Sequence, residues 1–427
     1  MTPQIKQRID QLRRGKVPEG YKKTKIGIVP EEWEETIFSD LFTSTSDFTD
    51  NLNQYPLYSL TIGEGITAKT DRYERSHLVK KENAYKIVRP NDFAYNPMNV
   101  RFGAVARHKG TIDVCVSGYY DIFTTKDKSD LEFMDSFLIS DKMIAYYNKI
   151  SIGSLVEKQR VHFSQFMDFR LPLPSSTERK KIAEILSEQD KLIALKEKLI
   201  EEKKLQKKYL MQQLLTGKKR LPGFSGEWES RTIGSLGTFY GGLSAKTKED
   251  FGCGESRYIT FKNVINNTVI DIHSLDRVNV SDKEKQNLVC KGDLFFNLSS
   301  ETPEELGMCA VLLNDIANTY LNSFCIGYRL TTDTVDPLFL AYLFDSFSGR
   351  EIMSTLAQGV TRINLNKEGF KKKKVNIPCL AEQKGIITIL SVKDQEIMLL
   401  QRTIDQEKQK KKALMQLLLS GVVRVNV

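Results

Sequence analysis

Arg160 in EKQRVHFS and Arg362 in GVTRINLN each stand just ahead of a strand-like run, in two halves of one chain, with Lys158, His162, Thr361 and Asn364 beside them. Arginine and asparagine carry paired donors and acceptors that match guanine and adenine edges, so these positions suit non-covalent reading of bases. Tyr95-Asn96 and Phe296-Asn297 form a second matched pair at the ends of strand-like segments, and Arg101, Arg107, His108 and Lys109 follow the first of them. The run Lys371 to Lys374 fits contact with phosphates, and fits a solvated loop equally. A surface salt bridge would explain either arginine alone. Its recurrence in both halves favours readout, and the candidate nucleic-acid contacts are Asn96, Arg101, Lys158, Arg160, His162, Asn297, Thr361, Arg362, Asn364 and Lys371.

Bond-making chemistry finds no comparable support. Asn96-Pro97-Met98-Asn99 is similar to the Asn-Pro-Pro-aromatic tetrapeptide of amino-methyltransferases, whose aromatic stacks on a flipped base, but the aromatic is missing here. The second half has Asn297-Leu298-Ser299-Ser300 at that place, and neither copy follows a glycine-rich turn suited to S-adenosylmethionine. There is no GxxxxGK[ST] loop, and the glycines at 234, 237, 241 and 242 have the density of a nucleotide fingerprint without its spacing. Glu382-Gln383-Lys384 has no neighbouring carboxylates to share Mg²⁺. Six cysteines lack CxxC spacing and four histidines lack HExxH spacing, so buried reduced thiols are expected and no metal.

The elements that must position the candidate residues are written twice. KKYLMQQLLTG at 207–217 returns as KKALMQLLLSG at 411–421, an offset of 204 that also relates Pro174 to Pro378, Glu178 to Glu382, Lys180 to Lys384, Ile182 to Ile386, Leu186 to Leu390, Asp190 to Asp394 and Arg220 to Arg424. Upstream the register drifts: Arg160 answers Arg362, Asp92 answers Asp293, Asn96 answers Asn297, and Trp33 answers Trp228. Residues 178–215 lack Gly and Pro and carry apolar pairs at 185/186, 192/193 and 199/200, which is the seven-residue spacing of a coiled-coil seam. Leu390, Ile397 and Ile404 repeat the spacing, and Gly217 and Gly421 close the two segments. An apolar stripe must be buried, so the helices are expected to pack antiparallel on each other, with Ile185, Leu192, Leu199, Leu210, Leu214, Ile389, Ile397, Ile404, Leu414 and Leu418 as the partner-binding positions.

Around the helices lie two modules rich in β-branched and aromatic segments, each with a helical stretch before its last strand, which gives an α+β fold. Residues 4–16 look like a worn third copy of the helix end, Leu12 and Gly15 standing for Leu214 and Gly217, so the organisation is pseudo-twofold and cyclic. The expected division is a short N-terminal helix at 1–20, modules at 21–175 and 218–379, and long helices at 176–217 and 380–427. A net charge of +9 suits a polyanionic partner. No apolar run approaches the roughly eighteen residues of a membrane span, and the polar start MTPQIKQRIDQLRRGK is unlike a secretory signal, so a cytoplasmic protein is expected.

The linker LLTGKKRLPGFSGEWES at 214–230, the helix starts PSSTERKKIAEIL and PCLAEQKGIITIL, and the closing phrases in LTG and LSG resemble the DNA-specificity subunit of type I restriction-modification systems over essentially the whole chain. The resemblance implies two target-recognition domains joined by two long antiparallel helices, each domain reading one half of a split, asymmetric site in double-stranded DNA. It also implies a non-catalytic chain without cofactors. S-adenosylmethionine, ATP and Mg would then sit on partners, namely two methyltransferase subunits docked on the helices and restriction/translocase subunits. Two departures stand out: Glu178-Arg179 where the second copy has the family's usual Glu382-Gln383, and a longer linker from Gly15 to Trp33 than from Gly217 to Trp228. A coiled-coil scaffold that never touches DNA, or a self-sufficient fused enzyme, would be the rival readings.

Overall fold

A computed structural model describes residues 3–69, 84–153, 159–281, 283–359 and 362–425. The candidates Lys158 and Thr361 lie outside the described residues. Two compact units divide the chain, one made of residues 1–196 with 403–427 and the other of residues 197–402.

In the first unit, an antiparallel sheet runs Val105–Arg107, Phe93–Tyr95, Asp121–Thr125, Phe42–Thr45. The second unit repeats that order with Cys309–Val311, Leu294–Asn297, Cys325–Leu330, Gly237–Gly241. The inner strands Phe93–Tyr95 and Leu294–Asn297 are buried at every position, which is why they read as apolar runs up to the closing asparagine rather than as alternating ones. Each unit is closed by a two-stranded pairing between an early strand and its last, Glu34–Ile37 with Arg170–Leu173 and Glu229–Thr232 with Lys374–Ile377. Aromatic rings fill both cores. Phe38, Phe42, Phe93, Phe123 and Phe166 pack in the first, and Phe239, Phe296, Tyr328, Phe344 and Phe370 in the second.

Two helices of 39 residues each, Ser176–Leu214 and Leu380–Leu418, contribute one end to each core. Ile182 and Leu186 from one start, and Leu418 and Leu419 from the other end, belong to the first core; Met211, Leu214, Ile386 and Leu390 belong to the second. The hydroxyl of Ser175 accepts the N–H of Glu178 and caps the first helix. Within the first unit Lys411 pairs with Asp190 at 2.6 Å, and within the second Lys207 pairs with Asp394 at 2.5 Å. These are one ion pair written twice, since 190 and 394, like 207 and 411, differ by the repeat length. Lys196 with Glu407 at 2.9 Å, and Lys203 with Glu396, complete an antiparallel pairing inside each unit, residue numbers rising on one helix as they fall on the other.

A second duplicated pair fixes where each helix stops and the other starts. Arg220 grips Glu382 through two bonds of 2.8 and 2.7 Å, and Arg424 grips Glu178 through two of 2.6 and 3.0 Å. Both carboxylates are buried, and bidentate geometry is the strong form of this contact. Beside each clasp a helix-ending glycine takes the left-handed conformation, Gly217 at φ 69° against Trp228 and Gly421 at φ 70° against Trp33. Gly15 has the same conformation at φ 71°, and all three donate N–H to the carbonyl three residues back, which supports the worn third copy. The first and last segments of the chain meet in the first unit, where the Tyr21 hydroxyl donates to the Gly421 carbonyl and Arg8 to that of Val422. The Arg179/Gln383 departure is absorbed locally. Both side chains bond the carbonyl five residues back, Pro174 or Pro378, and then take different second partners, Asp130 or the N–H of Asp336.

The seam differs from expectation in its facing. Leu186, Ile193 and Ile200 are buried, whereas Leu192 and Leu199 are exposed. Of the expected partner-binding positions, Leu214, Ile404 and Leu418 are buried within the chain, and Ile185, Leu210, Ile389 and Leu414 pack against its cores. At the helix ends that is a correction, because there the apolar period runs into the chain's own cores; Ile404 is buried at mid-helix. Ile397 is half-buried.

Two stability tests follow from the packing. Phe370→Ala removes a fully buried ring and should cost about 3–5 kcal/mol in urea unfolding. Arg220 holds the Glu382 carboxyl below its ordinary range, so the clasp stabilises the fold above pH ~4.3 and loses that contribution as pH falls through the lowered value. Glu382→Gln should therefore unfold more easily than wild type at pH 7, with the gap narrowing on acidification below pH ~4.

Candidate nucleic-acid interface

The two matched asparagines end the inner strands and turn the chain. Asn96 Oδ1 accepts the N–H groups of Met98 at 3.1 Å and Asn99 at 3.4 Å, and Asn297 Oδ1 accepts that of Ser299 at 3.1 Å. Asn297 Nδ2 also donates to the Glu305 carbonyl at 2.9 Å, and the residue has no exposed surface. Their amides are thus occupied in shaping the turn, as short polar side chains do at strand ends, and the expectation that they read bases is corrected.

The arginine register needs a second correction. Val161 donates its N–H to the Pro97 carbonyl at 3.0 Å, and Leu365 donates to that of Leu298 at 2.9 Å, in each case the residue after the turn-forming asparagine. His162 and Asn366 then both precede the short helices Phe163–Met167 and Lys367–Lys372, which bury Phe166 and Phe370. The offset of 204 therefore persists through this segment, and Arg160 is the counterpart of Asn364, not of Arg362. Phe166 and Phe370 carried the signal that would have revealed this register in the sequence.

Arg160, His162, Arg362, Asn364 and Lys371 are all exposed. Arg160 lies on a backbone bridge to Ile152, and Lys371 is ion-paired with Glu368 on its own short helix at 2.7 Å. Arg362 Nε donates to the Ser299 hydroxyl at 2.9 Å while its guanidinium lies over the Phe324 ring, 5.7 Å from the centroid. Ser299 and Asn364 face each other across a small sheet. Arg101 is placed otherwise: it is buried, it donates to Gln159 at 3.0 Å and it stacks on Phe102, so it too is corrected as a base contact. Its neighbours Arg107 and His108 are likewise turned inward, Arg107 to Asn91 and Glu132 and His108 to the Ile112 carbonyl.

Two features of the surface were not anticipated. Phe102 and Phe324 are 50% and 53% exposed, each beside an arginine and next to the asparagine turn of its unit. Sequence patterning places phenylalanine inside by default, and no local signal marks these two as exceptions. Beneath the turns, buried aspartates hold the strand starts. Asp293 takes two bonds from Arg329, which raises the arginine's pKa, whereas burial raises that of Asp92, which accepts the Arg89 N–H. Among the described residues no group of three or more His, Cys, Asp or Glu could hold a metal ion, and no helix is long and apolar enough to cross a membrane.

Residues 30–204 and 225–409 match the family model described as type I restriction modification DNA specificity domain. The chain belongs to that family. It is a type I restriction-modification specificity subunit with two DNA specificity domains. The MjaX type I restriction enzyme specificity subunit of Methanocaldococcus jannaschii is 24% identical over 436 residues, covering 95% of this chain and 97% of the relative. The MjaVIII specificity subunit of the same organism is 26% identical over 275 residues, 61% of this chain and 63% of its own length. Among solved structures, the type I S subunit from M. genitalium superposes with a TM-score of 0.51 at 15% identity, covering 93% and 97% of the two chains. A chain from work on complex assembly and conformational transition of the type I R-M system superposes at 0.58, also at 15% identity, covering 92% and 99%. At that identity the two likenesses speak to fold.

The distinction between turn-forming and displayed residues is measurable. Asn297→Ala strips a buried network and should cost about 1–3 kcal/mol of stability, whereas Arg362→Ala should change it by no more than ~0.5 kcal/mol. Paired urea titrations check both.

Proposed function

We propose that each unit of this specificity subunit reads one half of a bipartite, asymmetric duplex site, and that the two long helices set the length of the unread spacer and dock methyltransferase subunits. The observation that carries this reading is a shared frame with unlike displays. Both units have the same sheet order and the same clasp, but the exposed side chains near the asparagine turn are Arg160, His162 and Phe102 in one and Arg362, Asn364 and Phe324 in the other, with Arg160 standing at the place of Asn364. One frame with different side chains suits two different half-sites. Lys371 to Lys374 and the net charge of +9 would supply sequence-independent phosphate attraction, with affinity falling steeply as salt rises. On the helices Leu192, Leu195, Leu199, Leu205, Tyr209, Val392 and Met398 remain exposed, which supports docking of partner proteins there. Catalysis would be borrowed: S-adenosylmethionine on the methyltransferase subunits, and ATP and Mg on restriction/translocase subunits.

Mapping methylated adenines in a host with and without the gene tests the reading. A split motif that disappears on deletion is expected; an unchanged methylome would refute it. Inserting four residues into one long helix, in the 197–206 stretch, should alter the spacer by a whole number of base pairs while both half-sites stay the same. An unaltered spacer would remove the measuring role of the helices.

A further inference from the structure

Arg362 is exposed but held. Its Nε donates to the Ser299 hydroxyl, and its guanidinium carbon lies over the Phe324 ring, 5.7 Å from the centroid. Those two supports are themselves fixed. Ser299 donates its N–H to the buried Asn297 and is paired with Asn364 across the small sheet. Phe324 donates its N–H to the buried Asn322, and its carbonyl accepts the N–H of Leu298. No described residue is hydrogen-bonded to the two terminal nitrogens of Arg362, which form the edge opposite the ring-supported stem. That free edge presents parallel N–H donors, the geometry that meets O6 and N7 of guanine.

We infer that Arg362 is a preset guanine reader, with Ser299 and Phe324 as its positioning residues; this rests on the DNA reading proposed above. A phosphate contact would need charge alone, and Lys371 to Lys374 already supply charge close by in sequence. Reading a base edge rewards a guanidinium already restrained, and the Ser299 hydroxyl at Nε with the nearby Phe324 ring restrains it before binding, so less side-chain freedom is lost on contact. The first unit has an arginine–phenylalanine contact in which the ring is equally exposed but the arginine is not. There Arg101 lies 4.4 Å from the Phe102 centroid but is 9% exposed and bound to Gln159, while the ring is 50% exposed. The cation is withdrawn and the ring displayed, so guanine dependence of this origin belongs to one half-site only.

The test uses the complex purified through a tag on the full-length chain, and duplexes carrying its methylated motif with each base pair of both halves replaced in turn. Wild type should prefer G·C at one position of one half by about 5- to 150-fold. Arg362→Lys keeps the charge and should lose that preference while keeping the salt dependence. Phe324→Ala and Ser299→Ala should reduce the preference at the same position, leaving the other half-site and the unfolding midpoint of the chain as in wild type. The inference is overturned if the position is not guanine, or if Arg362→Ala weakens all duplexes evenly and lowers the salt slope by about one, the signature of a phosphate contact. Should the wild-type complex bind every duplex alike, the DNA reading itself falls, which is a different result.

Discussion

Two buried carboxylates, Glu178 and Glu382, carry the constraint on which the rest of the structure depends. Each opens a long helix and each is gripped at both oxygens by an arginine that follows the end of the other helix, Arg424 or Arg220. A buried carboxylate without its cation would be costly, so each helix start is stable only with the partner segment in place. In the second unit the Trp228 indole N–H joins the grip on Glu382, while in the first the buried Trp33 indole nitrogen has no hydrogen-bond partner among the described residues and Arg424 reaches Glu32. The two clasps are equivalent in their arginine and carboxylate and differ in their accessories.

From that anchor the modules follow. The helix starts and ends enter the aromatic cores, the cores back the antiparallel sheets, and the sheets end in asparagine turns. Because the asparagines spend their polar groups on the turn, the side chains left to face solvent are those beside it. Variation in them changes what is displayed without disturbing what holds it. Rigid support of an exposed edge lets the displayed side chains differ between the two units while the frame stays the same.

Much of this was legible before any coordinates. The offset of 204 was visible because helix-forming segments tolerate little insertion, and it located both clasps and the Lys–Asp pairs without naming them as contacts. Both long helices start where expected, at 176 and 380, and end at Leu214 and Leu418 against the expected 217 and 427, the starts being marked by local capping signals. The arginine register went astray because the match was made on residue type, whereas backbone bonds from Val161 and Leu365 and the buried Phe166 and Phe370 keep the repeat length intact.

Local pattern therefore settled the duplication, the α+β class, the long helices and the family likeness, all of which rest on periodicity, capping and repeated phrases within short stretches. Which polar side chains are free was decided elsewhere. Asn297 is sealed by Ser299 and Glu305, Arg101 is drawn in toward Gln159, and Leu214 and Leu418, expected on the seam between the helices, enter the cores of the modules. Burial depends on segments that are distant in the chain and near in space, and no short window of sequence contains both.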